Sequence, residues 1–285
     1  MRIVTLTSSA GTLTSGQHGF KIGMAVRGTG LPDLSTQWFE GAGDGATFRG
    51  GRVLSRTIDL PVTITGETRE IVRERISKLG NIFAFASGDV RLSFELDGDV
   101  WFTDVRRTGG GDWSWADDTD GKTFVKTVIT VQAGNPFWIH DDEDSRVITL
   151  SGFGRGLIKT PTPRLNKLKV STNAGFGTVT FQNQGDIPAF PRWIIGAPFS
   201  GFSLTSQAGE VLSWTGLKTT GFIEIDSEKG TVVDETGANR YGGLSAVPRF
   251  WSLPQGDSIA EVIADDATSA TKITAYWRTK RWVMF

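Results

Sequence analysis

Cysteine is absent from these 285 residues. That excludes disulfides, thiolate catalysis and cysteine-ligated metals, and leaves the fold to packing alone. Histidine is nearly absent: His18 and His140 are the two present. Neither has a metal-ligand neighbour at helical or hairpin spacing, so they read as isolated surface or turn histidines, with no zinc site and no metal or cofactor expected. An excess of one charge is missing too, 31 acidic against 30 basic residues, so no net field draws the chain onto nucleic acid or an anionic membrane. No apolar run approaches the ~20 residues of a membrane helix. The opening MRIVTLTSSAGTLTSG lacks the apolar core of a signal peptide, and the chain reads as soluble and unexported. What is abundant is glycine, 36 residues, with 18 Phe and 10 Trp, the profile of short strands joined by tight turns around aromatic cores.

In chain order, Arg2–Leu6 and 20–24 read as strands. Residues 25–51, glycine-rich and polar but carrying Trp38, Phe39 and Phe48, read as a long loop. Loops longer than ~12–15 residues are uncommon in compact domains, so this one is a candidate contact arm. Leu54, Ile58, Leu60, Val62 and Ile64 then share one parity of a strand, half buried and half wet. Pro61 lacks a ladder donor and predicts a sheet edge or bulge there. Val72, Ile76 and Leu79 predict a helix over 67–79, stopped by Gly80-Asn81. Val90–Leu96, an Asp97-Gly98 turn and Val100–Val105 predict a hairpin. A second hairpin spans 106–132, with a long tip holding Trp113 and Trp115. After Asn135-Pro136-Phe137-Trp138 the helical signal is gone and short strands recur, among them 168–172, 193–195, 222–226, 249–253 and 273–277. A boundary near residue 138 follows, with domains over 1–138 and 139–285 and a β-sandwich in the second.

Catalytic motifs do not hold up. Asp117-Asp118-Thr119-Asp120-Gly121 imitates a calcium loop, but the template's first position is Ala116 and its twelfth Thr127, and a hairpin surrounds it; a solvated turn is the better reading. Gly152-Phe153-Gly154-Arg155-Gly156 precedes Pro161 and Pro163 rather than a helix, so it is no phosphate loop. Basic groups such as Arg106-Arg107 and Arg278-Lys280-Arg281 alternate along strands as wet faces or subunit contacts.

Three passages of the second half carry a resemblance. Asn183-Gln184-Gly185-Asp186-Ile187-Pro188-Ala189-Phe190-Pro191 with Ile194 and Gly196 resembles the N-x-G-D-x-x-A-x-P…I-x-G passage of siphophage distal tail proteins. Ile225-Asp226, Gly230, Val232-Val233 and Gly237-Ala238-Asn239 resemble that family's I-D-x-x-x-G-x-V hairpin. Phe250 to Ile259 resembles its F-x-x-L-x-x-G-x-N-x-I run, with Ser258 in place of asparagine. Asn135–Trp138 is similar to a junction of the actinobacteriophage branch, and the first half matches in architecture rather than motif.

The resemblance implies a mainly β chain: a tail-tube-like belt domain with one α-helix, then an outward-facing galectin-like β-sandwich. It implies a virion structural protein at the distal end of the tail, made in the host cytoplasm. There it forms a homo-oligomeric ring, usually six-fold, that joins the tail tube to the hub or baseplate and touches nucleic acid only by lining the DNA passage. No enzyme activity, cofactor or membrane insertion is implied. Trp38, Phe39, Phe48, Trp113 and Trp115 are the candidate oligomer-interface residues, with local core packing as the bland alternative for each. Two other readings stay open: a tail-tip module stacking exposed Trp of the sandwich on cell-wall glycan, and a sandwich-type glycoside hydrolase, for which no carboxylate pair stands out.

Overall fold

A computed structural model of the chain describes residues 3–23, 25–113, 123–149 and 174–284. The strands of its first half are β1 (Ile3–Ser8), β2 (Gly11–Thr14), β3 (Phe20–Ile22), β4 (Leu34–Glu40), β5 (Ala46–Val53), β6 (Arg56–Thr65), β7 (Val90–Leu96), β8 (Asp99–Gly110), β9 (Phe124–Ala133) and β10 (Trp138–His140), with helix α1 (Arg69–Ile82) between β6 and β7. The second half holds β11 (Asp144–Thr149), β12 (Ala174–Asn183), β13 (Arg192–Gly196), β14 (Phe199–Ser206), β15 (Val211–Lys218), β16 (Phe222–Asp226), β17 (Thr231–Asp234), β18 (Gly256–Asp265) and β19 (Lys272–Trp277). A last short strand, β20 (Lys280–Arg281), pairs back with β10. The fold is mainly β with one α-helix among the described residues, as expected.

Two compact units result: Met1–Asp142 with Lys280–Phe285, and Glu143–Thr279. The division expected near residue 138 thus lies at 142, because β10 pairs with β8 and stays in unit 1. The final six residues rejoin unit 1, so unit 2 is an insertion into it.

The main sheet of unit 1 is curled and runs in the order β2-β1-β7-β8-β9-β6-β3, with β10 added beside β8 and β20 beside β10; β4 and β5 lie outside it. Its two ends approach through the turn after β2, where the Ser15 amide donates to the Val4 carbonyl at 2.8 Å and the Ile22 amide donates to Ser15 Oγ at 2.9 Å. β6 points Arg56, Ile58, Leu60, Val62 and Ile64 inward, the alternation read from sequence. Pro61 sits where β3 gives out: its carbonyl accepts from the Gly23 amide at 2.7 Å, just past the end of β3, so the missing N–H faces that ragged edge and not β9. Asp97 and Gly98, at φ 53° and 99°, form the two-residue turn between β7 and β8 whose twist suits a hairpin.

Helix α1 starts at Thr68, whose side chain accepts from the Ile71 amide, and it buries Val72, Leu79 and Ile82 against β6, β1 and β2. It runs three residues past the expected stop. Gly80 and Asn81 stay helical because Ile82, fully buried, continues the apolar stripe.

Unit 2 is a two-layer sandwich. One sheet runs β11-β19-β13-β16-β17 and the other β12-β18-β14-β15. Their inner faces share a core in which Phe181 meets Trp193 and Trp277 edge-on at 5.8 and 5.6 Å, and Trp193 meets Trp251 at 5.4 Å. The strand expected over 249–253 is irregular backbone instead. Pro248 and Pro254 flank it, and Leu253 alone bridges to Ala189. The expected strand over 168–172 lies outside the described residues.

Candidate assembly interface

The passage 25–51 is not an unstructured loop over its second half. β4 and β5 pair into a separate two-stranded ribbon. Register slips by one residue between Gln37 and Trp38, so Arg49 bulges and Trp38 comes to face Phe48. Their rings meet edge-on at 5.4 Å. Leu34 and Val53, also opposite one another, extend the same face, while Arg49 lies over the Phe39 ring at 5.1 Å. Trp38, Phe39 and Phe48 remain 60%, 55% and 54% exposed. An isolated two-stranded ribbon is at best marginally stable in water, and clustered exposed aromatics mark contact surfaces. The arm therefore carries three of the five aromatics singled out in the sequence, with Trp38 and Phe48 in contact on one face and Phe39 on the other.

The other two part company. Trp113 is half-buried and packs against the unit 1 core; Trp115 lies outside the described residues. Sequence reasoning missed Phe85, which stands 90% exposed in the turn after α1. It rims an open cleft of about 840 Å³ bounded also by Asp89, Val105, Arg106, Thr108 and Ile139. Arg106 spans Phe85 and Asp89, its guanidinium carbon 5.5 Å from the ring centre and its Nε 2.6 Å from the carboxylate. The available signal was two Phe, Phe83 and Phe85, in the short passage between α1 and β7, of which Phe85 has no helical-period partner.

His18 is exposed in a turn at φ 47°. His140 lies edge-on to Trp101 at 4.8 Å, with Asp99 at 3.8 Å. No group of three or more metal-ligating side chains gathers among the described residues. The Asp117–Gly121 and Gly152–Gly156 passages lie outside them.

In unit 2 the first and third sequence passages converge. The buried Asn183 side chain donates to the Ile187 and Leu253 carbonyls at 2.9 and 3.1 Å and accepts from the Gly185 amide at 3.0 Å. Ala189 and Leu253 exchange backbone hydrogen bonds at 2.9 and 2.7 Å. The second passage is the β16–β17 hairpin, closed by carboxylates. Asp226 accepts from the Glu228 and Lys229 amides; burial raises its pKa, but these bonds and the Lys229 ammonium outweigh it and leave the group below the usual carboxylate range. Asp234 accepts from the Thr236 hydroxyl at 2.6 Å, from Arg240 Nε at 2.8 Å and from the Thr236 and Ala238 amides. Those donors hold it well below its ordinary pKa. These groups close turns. Trp193, Trp214, Trp251 and Trp277 are all buried, so the glycan-stacking alternative finds no exposed tryptophan among the described residues of unit 2.

No family model and no curated protein matches the chain in sequence. Solved structures do match in fold. The Dit protein of phage SPP1, described as a paradigm of the hub adsorption apparatus in phages infecting Gram-positive bacteria, superposes with a TM-score of 0.67 over 96% of this chain and 98% of its own, at 14% identity. A chain of the phage P2 baseplate in its calcium-activated conformation gives 0.57 over the full length of both chains at 10% identity. The strontium form of the p2 baseplate gives 0.52 over 94% and 99% at 10% identity. The chain has the fold of siphophage distal tail proteins, the family its second-half passages resemble.

Proposed function

We propose that this protein is a structural component of a phage tail, acting as an adaptor ring between the tail tube and the hub or baseplate at the distal end. The observation that carries the reading is the extent of the fold match: 96% of this chain is covered by 98% of a Dit protein. The ribbon supports it independently, since a subunit that packs into a closed ring has a neighbour to cover exposed aromatics. The role is mechanical and requires no catalytic step. Specificity would come from matching surfaces, and six copies is the stoichiometry that the family resemblance suggests.

The test is electron microscopy of the purified protein alone and mixed with its tail-tube partner. Rings that cap tube ends are the expected outcome. A protein that stays monomeric and never docks on tubes would sink the proposal.

A further inference from the structure

Strand β8 outruns its neighbour. Its pairing with β7 ends at Val105 opposite Val90, yet on the other side it continues with β9 from Val105 to Gly110. β10 meets it only at Trp101 and Phe102. Over residues 106–110 one edge of β8 therefore faces no strand among the described residues. The register with β9 slips between Arg107 and Gly109, so Thr108 bulges and interrupts the alternation; the Gly110 carbonyl accepts from Arg107 Nη1 at 3.1 Å, and the backbone groups on either side of the bulge are what this edge offers a further strand. Arg106, Arg107 and Thr108 of this edge line the cleft that Phe85 rims. An open strand edge beside an exposed aromatic is a template for strand addition.

The arm is the matching piece, and charge decides which of its strands fits. β5 carries Arg49 and Arg52, which would stand against Arg106 and Arg107. β4 carries no cation and ends on Glu40. Like charges across a strand pair destabilise it and opposite charges stabilise it. A third strand also supplies what a two-stranded ribbon lacks in water.

We propose that β4 of one copy adds to residues 106–110 of β8 in a second copy, laying its Leu34, Trp38 and Phe48 face on Phe85 of the partner subunit. Arm and cleft are different patches, so the contact is heterologous and propagates around a ring. The inference rests on the ring-forming reading above and assigns its contact.

The absence of native cysteine makes disulfide trapping clean. Ser35→Cys, Gln37→Cys and Phe39→Cys variants are each mixed with Thr108→Cys and oxidised, with Glu74→Cys on α1 as the control. Paired strands hold Cα atoms about 4.5–5.5 Å apart, inside the roughly 4.4–6.8 Å that a disulfide accepts. The expected result is a covalent heterodimer between a β4 position and residue 108, none with residue 74, and self-association weakened about tenfold or more by Phe85→Asp. Phe85 is too exposed for that change to unfold the chain. Assembly with no β4–108 cross-link, or Phe85→Asp assembling as tightly as wild type, overturns this contact and leaves the adaptor reading standing. A monomer at all concentrations, with and without tube protein, overturns both.

Discussion

Two buried ions show how single residues hold each unit. Arg56 is 2% exposed and meets no carboxylate among the described residues. Its guanidinium donates instead to the carbonyls of Pro136 (2.7 Å), Gly28 (2.9 Å), Trp282 (2.7 Å) and Gly30, and lies over the Trp138 ring at 5.4 Å. Burial lowers its pKa, yet a guanidinium stays charged and its planar fork can serve several carbonyls at once. Gly28 makes this possible: at φ 84° a side chain is strained, and its Cβ would strike the Thr57 carbonyl. Asp234 is the inverse case, an anion ringed by donors. A carboxylate whose folded pKa is depressed adds stability above its ordinary pKa of about 4, and that stability is lost as pH falls toward the folded value. Asp234→Asn should therefore lower the unit 2 melting temperature at pH 7, with the gap to wild type closing below about pH 4. Calorimetry at stepped pH checks this; a gap independent of pH would show that the charge contributes nothing.

At the scale of elements, helix α1 offers the clearest prediction. Gly80 is exposed within the helix, its φ is not positive, and a Cβ there meets nothing within 4 Å. Gly80→Ala should stabilise unit 1 by about 0.5–1 kcal/mol, read as a raised urea midpoint with an unchanged m-value. The same helix shows what the sequence made legible. Val72, Ile76 and Leu79 announce an amphipathic stripe, and β6 alternates cleanly, because each has one face in the core and one in water. The arm has both faces in water, so its strands carry no period-two signal and its glycines suggest a loop. Residues 249–253 mislead in the opposite direction: Trp251 and Leu253 are core side chains delivered by irregular backbone between prolines. Of the candidate interface, the arm aromatics were legible as large apolar residues in a polar passage. The cleft was not, since it depends on β8 being longer than β7, a relation between strands that neither states alone.

For the whole molecule, the insertion of unit 2 between β10 and β20 is the organising fact. The returning segment is integral to unit 1. Trp282 packs edge-on to Phe137 at 5.1 Å and accepts from Arg56, and Met284 is buried in the unit 1 core. Removing residues 280–285 should cost unit 1 about 3 kcal/mol or more, from one buried Met side chain and the Arg56 Nη2 donor left without the Trp282 carbonyl. Hydrogen exchange would register the loss in β6 and β10, with unit 2 amides unchanged; uniform deprotection of both units would contradict the division. The returning segment also bears on synthesis. Ribosomes deliver chains from the N-terminus, and domains fold largely as they emerge. Residues 143–279 leave the ribosome before the six residues that complete unit 1. Unit 1 is thus completed only after all of unit 2 has been synthesised, and Arg56 waits until then for one of its four carbonyl partners.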